Sequence, residues 1–492
     1  MSLPDKVLIA NRGEIAVRIV GTLRRLGIAS VAVFHAEDAG GRAVREADEA
    51  VELHGDTPVG AYLNVEGIVD ACSSTGASAV HPGFGFLSEN AAFAEALAQA
   101  GIAFIGPPPS AIRAMGDKIE SKRLAAAAGV PTLPGSDDAV GDADEAVAEA
   151  DRIGYPVLLK ASAGGGGKGM RIARDDAGCR EAFERASGEA LASFGDGRVF
   201  VERFIERPRH IEVQVLADTH GTVVHLGERE CSIQRRYQKV IEESPSPFID
   251  DATRAEMGER AVALARAVGY ASAGTVEMIV DSQRRFYVPQ MNTRLQVEHP
   301  VTELVTGIDI VAEQVRVAAG EPLSFAQEDV QLRGHAIECR IYAEDAEAGF
   351  LPATGRLGLV RFPAGDGVRV DHGVVEGQQI SASFDPMIAK LAVHGSSRAE
   401  AIARARDALR RTVLLGTITN TAYLERVLAQ PAFAAGDTHT GFLDEHGDAL
   451  AAPPVAADVE RCLIAGAALA SPRFDARFAA PEPLATMGAW GR

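Results

Sequence analysis

Cysteine is scarce in this chain, and long apolar runs are missing. The five cysteines, Cys72, Cys179, Cys231, Cys339 and Cys462, are scattered without a Cys-x-x-Cys pair, which argues against a disulfide scaffold and a zinc ribbon. No apolar stretch is long enough to cross a bilayer, and the N-terminus has neither signal-peptide nor transit-peptide character. We therefore expect a reduced, cytoplasmic protein with no membrane partner.

Positive charge is also in short supply. The sequence holds 49 Lys and Arg residues against 68 Asp and Glu residues, a formal net charge of −19. This balance argues against nucleic acids and anionic membranes as principal partners, although it leaves room for local basic pockets that bind phosphate. With 492 residues, 47% of them hydrophobic, the chain can bury several cores, and its length favours about three domains.

Hydrophobic periodicity predicts an α/β beginning. A buried strand over 6–10, an amphipathic helix over 14–26 that ends at Gly27, and a strand over 30–34 form a βαβ unit, which indicates an open parallel sheet. Further strands are predicted at 78–80 and 102–105. These elements place a first domain at residues 1–115.

Two further regions and a tail follow. Residues 116–204 contain a glycine-rich centre, and strands are predicted there at 156–160, 170–173 and 199–201, with a helix over 176–194. Residues 205–446 are richer in strands, with hairpins predicted around 218–221 and 281–284. The tail, residues 447–492, is rich in alanine and proline.

The glycine-rich segment, residues 158–170, predicts a flap that closes on a nucleotide. Glycines let backbone N–H groups approach phosphate oxygens without a Cβ clash. The segment departs from the Walker P-loop, because Ser162 occupies the first glycine position and Gly169 follows Lys168. A flexible linker is the alternative, and Lys160 at the end of the preceding strand argues against it.

Other residues near this flap are candidates for nucleotide contacts. Lys118, by itself typical of a surface lysine, could join Lys160 in neutralising the α- and β-phosphates. The stretch at 202–205 precedes His210, and strand-edge backbone there could bond an adenine; an ordinary strand crossing is an equal alternative. Residues 228–239 are dense in charge and form either a solvated face or a basic floor for anions.

The densest polar cluster lies in residues 291–300. In an extended segment alternate side chains share a face, so Asn292, Arg294, Gln296 and Glu298 are predicted to point the same way. Such a row could hold a metal-bound phosphate at one end and a small anion with a base at the other. A solvated polar strand face is the alternative.

Two strand-borne side chains extend this cluster. Glu277 stands among apolar neighbours in a predicted strand, where a carboxylate is costly unless it is paired or binds a metal. With Asn292 it could supply oxygen ligands to Mg²⁺, and an exposed strand face is the alternative. Arg340 lies on a strand that begins near His335, and alone it is more typical of a surface charge.

The motifs HPGFGFLSEN, KASAGGGGKGM, ECSIQRR, MNTRLQVEHPVTE and HAIECRIYAED together resemble the biotin carboxylase family of the ATP-grasp superfamily. The likeness runs from Lys6 to about Leu443 and is nearest to the biotin carboxylase half of acetyl- or propionyl-CoA carboxylase α-chains. It implies a multi-domain α/β and α+β fold. The parts are an N-terminal Rossmann-like domain (1–115), a small lid with the glycine flap (116–204), an ATP-grasp core with a strand-rich C-terminal domain (205–446), and a tail (447–492) that could begin a linker domain.

The resemblance also implies residue roles. A catalytic group would surround bicarbonate and the biotin ureido group, with Glu298 as the base; it comprises Lys239, Arg294, Glu298 and Arg340. Gln296 and Val297 would join it. Mg²⁺, or Mn²⁺, would be held by Glu277, Gln290 and Asn292. The nucleotide would contact Lys118, Lys160, Gly166, Gly167, Glu202, Arg203, Phe204, Ile205, His210, Gln234 and Tyr237.

The implied reaction is the ATP-dependent carboxylation of biotin, a ligase activity. Bicarbonate attacks the γ-phosphate to give carboxyphosphate, positioning and charge neutralisation dominate that step, and the flap excludes water. Carboxyphosphate yields CO₂ and phosphate, and Arg340 stabilises the biotin enolate-like oxygen. The implied partners are a biotin carboxyl carrier protein or domain, a carboxyltransferase subunit and a second copy of the chain in a homodimer.

Three features depart from the family pattern. Gln290 stands where the family has a glutamate, and an amide is a poorer Mg²⁺ ligand than a carboxylate, so we expect reduced activity. Tyr237 stands where histidine or asparagine is usual. No Met-Lys-Met biotin attachment site occurs, so biotin must arrive on another chain or on a part missing from this one.

Other functions fit the sequence less well. Another ATP-grasp carboxylate ligase would not need the row from Arg294 to Glu298 together with Arg340. A catalytically weak, ATP-binding scaffold subunit is favoured only by Gln290. A dinucleotide-dependent dehydrogenase lacks the G-x-G-x-x-G motif after the first strand.

Overall fold

The computed structural model describes residues 2–136, 138–161, 170–195, 197–453 and 461–466, and the side chains of residues 118, 119, 193 and 194 are outside that description. Met1–Leu450 form one compact unit, and the chain from Ala451 onward is a second. Most of the predicted tail, like the centre of the glycine flap, therefore lies outside the described residues.

The chain opens with a parallel five-stranded sheet, in the spatial order β3-β2-β1-β4-β5. Its strands are β1 (Lys6–Ile9), β2 (Ala29–Phe34), β3 (Glu49–Glu52), β4 (Ala79–His81) and β5 (Ala103–Phe104). Helices α1 (Gly13–Leu26), α2 (Arg42–Glu46), α3 (Pro58–Tyr62), α4 (Val65–Thr75) and α5 (Ala91–Gln99) accompany it. Helices α6 (Pro109–Gly116) and α7 (Lys118–Ala127) follow, and buried residues on both belong to the core of the later, eight-stranded sheet. The predicted βαβ unit is confirmed, because β1 and β2 pair in parallel on either side of α1.

Helix α1 shows why the sequence predicted this unit correctly. Ile15, Ile19 and Leu23 lie on one face of the helix and are buried. Gly27 ends the helix in the left-handed region, at φ 73°, where it donates its N–H to the carbonyl of Arg24. A side chain with a Cβ disfavours that conformation.

A small antiparallel sheet follows, in the order β7-β6-β8. It consists of β6 (Val157–Ala161), β7 (Met170–Ala173) and β8 (Val199–Arg203), and it packs with α8 (Ala143–Ile153) and α9 (Asp176–Phe194). The predicted strands and helix of this region are confirmed.

The largest sheet has eight strands in the order β13-β12-β9-β10-β11-β14-β21-β19. The strands that come first in the chain are β9 (Arg209–Ala217), β10 (Val223–Arg235), β11 (Gln238–Ser244), β12 (Ser272–Val280), β13 (Phe286–Asn292) and β14 (His335–Tyr342). Those that come later are β19 (Val368–His372) and β21 (Met387–Gly395). Both predicted hairpins, β9–β10 and β12–β13, are confirmed as antiparallel pairs.

Short strands and helices complete the compact unit. The short strands are β15 (Glu344–Asp345), β16 (Leu351–Pro352), β17 (Gly355–Arg356), β18 (Leu359–Arg361), β20 (Gln379–Ile380) and β22 (Val413–Leu415). The helices are α10 (Asp251–Ala267), α11 (His299–Thr306), α12 (Ile310–Ala318), α13 (Arg398–Arg411), α14 (Thr421–Leu428), α15 (Pro431–Ala434), α16 (Phe442–Glu445) and α17 (Gly447–Leu450). No helix among the described residues combines the length and apolarity that a membrane crossing requires.

Candidate active site

A cleft with a volume of about 530 Å³ lies where the first sheet meets the eight-stranded sheet. One wall comes from the start of α1 and from the turn after β4, at residues 84–86. The other comes from β11, β12 and β13 and from the loop after β13. The cleft gathers many of the residues that the sequence analysis selected: Tyr237, Lys239, Glu277, Gln290, Asn292, Arg294, Gln296, Val297 and Arg340.

Strand register brings the candidate metal ligands together. Glu277 is the cross-strand partner of Gln290 on one side and of Glu212 on the other. Gln290 donates its side-chain N–H to Glu277 Oε2 at 2.7 Å, and Asn292 donates to Glu277 Oε1 at 2.8 Å. One carboxylate and two amides therefore form a set of oxygen-bearing side chains at the edge of the cleft.

Lys239 is the cation at the centre of this arrangement. Its ammonium donates to Glu212 at 2.6 Å, to Glu298 at 2.6 Å and to Glu277 at 3.2 Å. Although burial disfavours the charged forms, these contacts hold the pKa of Lys239 well above its ordinary value and the pKa of Glu277 well below it. The ammonium and the carboxylates stay ionised together.

Glu298 is fully buried and bridges two cations. Besides its contact with Lys239, it accepts a hydrogen bond from Arg340 Nη2 at 3.0 Å, and Arg340 Nε donates to Glu242 at 2.5 Å. Burial and the neighbouring carboxylate of Glu212 disfavour ionisation of Glu298, but Lys239 and Arg340 lower its pKa below the ordinary value. Its carboxylate is thus available as a proton acceptor.

The prediction that residues 292–298 form one extended segment with alternate side chains on the same face is wrong. Strand β13 ends at Asn292, and the chain then turns, so strict alternation stops there. Arg294 bonds Gln296 Oε1 at 3.0 Å and Glu89 at 2.9 Å, while Glu298 lies just before α11. Asn292, Arg294 and Gln296 still line the cleft, whereas Glu298 is fully buried behind it, where it contacts Lys239 on β11 and Arg340 on β14.

His210 lies beside the same carboxylates. Its Nε2 atom is 3.7 Å from Glu212 and 3.7 Å from Glu277. Burial and Lys239 oppose the charged imidazolium, but Glu277 and Glu212 outweigh them and raise the pKa of His210 to about 9. A protonated imidazole at this point can attract an anionic phosphate.

Sequence reasoning missed two fully buried residues that support the site. Arg229 donates from Nε to Glu212 at 2.6 Å and also reaches Gln214, Thr275 and Thr302. Glu212 stands in the apolar strand β9, so the rule that selected Glu277, a carboxylate among apolar strand residues, also applies to it. Arg229 lies among the many charged residues of 228–239, so its sequence context did not indicate that it is buried.

The candidate nucleotide residues are only partly brought together by the described part of the chain. Glu202 is buried and pairs with Lys160 and with Lys122, each at 2.5 Å. Although burial opposes ionisation, these lysines lower the pKa of Glu202 to about 2. Lys122 was not predicted. Gly166, Gly167 and the Lys118 side chain lie outside the described residues.

The strand edge that was a candidate for adenine contacts is partly occupied. The N–H of Arg203 donates to the carbonyl of Pro134, and the N–H of Phe204 donates to that of Pro156. Contacts to a base would therefore fall to Ile205 and to backbone carbonyls. Gln234 is opposite Lys239 in the β10–β11 pair and is buried.

Family models match most of the chain. The model described as biotin carboxylase, N-terminal domain, matches residues 4–112. The carbamoyl-phosphate synthase L chain ATP-binding domain matches residues 117–326, and the biotin carboxylase C-terminal domain matches residues 338–445.

Curated relatives agree with these matches. The chain is 54% identical over 461 residues to the propionyl-CoA carboxylase alpha chain of Ruegeria pomeroyi, covering 90% of this chain and 68% of that one. It is 55% identical over 444 residues to the mitochondrial propionyl-CoA carboxylase alpha chain of Homo sapiens, covering 90% and 61%. It is 50% identical over 442 residues to the biotin carboxylase of Halalkalibacterium halodurans, covering 90% and 97%. The chain thus spans 61% of the human alpha chain and nearly the whole of the last.

Solved structures share the fold. The biotin carboxylase domain dimer of Hydrogenobacter thermophilus 2-oxoglutarate carboxylase, in complex with MgADP, ADP and bicarbonate, superposes with a TM-score of 0.88 at 46% identity, covering 92% of this chain and 100% of that one. A β-γ-ATP complex of biotin carboxylase from Campylobacter jejuni gives a TM-score of 0.86 at 42% identity, covering 90% and 99%.

Proposed function

The chain belongs to the biotin carboxylase family and is accordingly an ATP-dependent ligase that carboxylates biotin with bicarbonate; we propose that it does so as the biotin carboxylase component of an acyl-CoA carboxylase. The observation that supports this proposal best is the convergence beside one cleft of Lys239, which contacts both Glu277 and Glu298, and Arg340, which contacts Glu298. A base, two cations and a candidate metal ligand are what bicarbonate activation by ATP requires.

We assign the reacting end of the cleft to Arg294, Glu298, Lys239 and Arg340. Glu298 removes the proton of bicarbonate, since its carboxylate is ionised and is aligned by two cations. Lys239 and Arg340 then neutralise charge on the reacting oxygens. Arg294, held by Glu89, and Gln296 with the Val297 backbone border the space for bicarbonate and the biotin ureido group.

The oxygen-bearing side chains of Glu277, Asn292 and Gln290 fit a Mg²⁺ or Mn²⁺ ion, because magnesium binds one or two carboxylates together with substrate phosphates. Bound metal neutralises charge on the nucleotide phosphates. The two amides now direct N–H groups at Glu277, so each must turn its carbonyl oxygen outward to act as a ligand. With one charge among three side chains, we propose that metal affinity and activity are reduced.

We propose that the remaining candidates bind ATP. Lys118, Lys160, Gly166 and Gly167 would contact the phosphates, His210 adds positive charge beside them, and the base would lie against 202–205 with Gln234 and Tyr237 nearby. The division of the chain at 115, 204 and 446 is likewise a proposal.

The partners are also proposals. Since the family carboxylates carried biotin and this chain has no attachment motif, biotin would arrive on a carrier protein or domain and pass its carboxyl group to a carboxyltransferase subunit. The names of the relatives support a propionyl-CoA acceptor, and the solved dimer supports a homodimer core. We propose a cytoplasmic location, although several relatives are named mitochondrial.

The test is phosphate release from MgATP by the full chain with free biotin. Release should require bicarbonate and rise with biotin, and Glu298→Gln should lose it while nucleotide binding persists. Glu243→Gln, which removes a buried carboxylate paired with Arg398 outside the cleft, is the matched control and should retain activity. Phosphate release that does not depend on bicarbonate would favour another ATP-grasp carboxylate ligase. Nucleotide binding without phosphate release would favour a scaffold subunit.

A further inference from the structure

A buried carboxyl pair lies behind the cleft, and the proposed chemistry does not use it. Glu242 on β11 and Glu338 on β14 are directly opposite in the antiparallel pairing of these strands. Their side chains therefore leave the same face of the sheet, with Cβ atoms about 5 Å apart. Both residues are 0% exposed, and α11 packs over these strands, with Val301 and Val305 against Ala336.

Hydrogen bonds satisfy only one of the four oxygens of this pair. Glu242 Oε1 accepts from Arg340 Nε at 2.5 Å. Glu242 Oε2 and both oxygens of Glu338 have no hydrogen-bond partner among the described residues. Buried carboxyl oxygens without donors are costly, and the cost is greatest when both groups are charged.

The charges around the pair do not balance if every acid is ionised. The acids that act on one another here are Glu14, Glu242, Glu298 and Glu338, against the cations Arg340, Lys390 and Lys239. Lys390 lies 3.2 Å from Glu14 and donates to the Val297 carbonyl at 2.8 Å, while Lys239 already serves three carboxylates.

Adjacent buried acids with too few cations cannot both ionise. Burial raises the pKa of Glu242 to about 7, and burial raises that of Glu338 well above its ordinary value despite Lys390. The geometry and the pKa directions agree that the pair holds a proton at neutral pH.

We propose that Glu338 is a positioning residue for biotin carboxylation: as the neutral acid it donates its proton to the free oxygen of Glu242, which fixes Glu242 as the carboxylate that aligns Arg340 with Glu298. The inference rests on the proposed function for its kinetic consequences. The proton stays within the pair during turnover, and no covalent bond changes. At alkaline pH the pair loses this proton, a second negative charge appears beside Arg340, and bicarbonate, itself an anion, binds less well.

Two substitutions of Glu338 distinguish the hydrogen bond that it donates to Glu242 from the negative charge that it gains on ionisation. Glu338→Gln keeps a neutral donor, so the KM for bicarbonate should stay close to wild type at neutral pH, and the alkaline fall in kcat/KM should move to higher pH. Glu338→Leu cannot donate, and it should raise the KM for bicarbonate by about tenfold while the KM for ATP changes little. Glu243→Gln is the control on β11, the strand that carries Glu242, and it should leave the KM for bicarbonate unchanged.

An infrared difference spectrum tests the proton without catalysis. Wild type minus Glu338→Gln at neutral pH should show the carbonyl band of a protonated carboxylic acid. The proposal is wrong if that band is absent. It is also wrong if Glu338→Gln raises the KM for bicarbonate as much as Glu338→Leu does, or if the alkaline fall in kcat/KM of Glu338→Gln stays at the wild-type pH. The band requires no turnover, so it shows whether Glu338 is protonated even if the chain does not carboxylate biotin or Glu338→Leu does not fold.

Discussion

Gln290 and Glu277 face each other across two antiparallel strands, and that pair decides the charge of the candidate metal site. Replacing Gln290 with glutamate adds a second carboxylate. We expect Gln290→Glu to lower the Mg²⁺ concentration for half-maximal activity by about tenfold, since divalent-metal affinity follows the number of charged ligands. Bicarbonate-dependent phosphate release with free biotin, measured against Mg²⁺ concentration, checks this.

The control for this substitution is on the same hairpin. Gln283 lies in the exposed turn between β12 and β13, so Gln283→Glu adds the same charge away from the cleft and should leave the Mg²⁺ dependence unchanged. Equal turnover and equal Mg²⁺ dependence before and after Gln290→Glu would contradict the proposed weakness of the site.

Glu230, a single buried residue, predicts a pH dependence of the folding stability. Its buried carboxyl accepts hydrogen bonds from Ser232 and Ser246 and lies 3.8 Å from Arg209, yet burial raises its pKa to about 7. Between the unfolded pKa of about 4.3 and this value the folded chain binds the extra proton. Its contribution to stability is therefore present at low pH and is lost as pH rises through about 7.

Glu230→Gln removes that titration. Urea unfolding at about pH 5 and about pH 8 should show the wild type losing free energy of unfolding relative to the variant as pH rises. A difference between the two proteins that does not change with pH would refute the assignment.

At the scale of elements, the turn between β10 and β11 combines strain with an exposed aromatic ring. Arg236 and Tyr237 have φ values of 49° and 66°, a region that residues with a Cβ disfavour, and Tyr237 lines the cleft. Tyr237→Gly should stabilise the fold by about 1 kcal/mol and raise the KM for ATP, because the ring is lost. Thermal unfolding and initial rates measure the two effects.

Tyr237→Phe is the control, since it keeps both the ring and the backbone strain, and it should change neither quantity. If Tyr237→Gly lowered stability, the turn would not be strained in the way its φ values indicate.

The elements also show how far the sequence could predict the site. Helix α1 and both hairpins were predictable because periodicity and turn residues are local signals. The convergence of Arg340 on Glu242 was not, because it depends on β11 pairing with β14, and the two residues are 98 positions apart. The row after Asn292 was misjudged because alternation was extended past the end of β13.

At the scale of the whole molecule, the candidate site belongs to no single region. The cleft takes Asn11 and Phe84 from the first part of the chain, Glu277 from the middle, and Tyr342 with Asp385 from the part that follows. Family motifs in the sequence identified these segments, but the sequence alone could not give their relative placement. Catalysis therefore depends on the packing of the first sheet against the eight-stranded sheet.

This arrangement predicts that ligand binding stabilises the compact unit as one cooperative body. A ligand that binds only the folded form adds about 2.7 kcal/mol at about one hundred times its Kd, so MgADP with bicarbonate should raise Tm by several degrees in a single transition. Glu277→Gln should lose the Mg²⁺-dependent part of that shift, and Glu243→Gln should keep it. Differential scanning calorimetry distinguishes the outcomes: if the transition split and only one part shifted, the regions that build the cleft would fold independently, and the packing between them would not hold the site together.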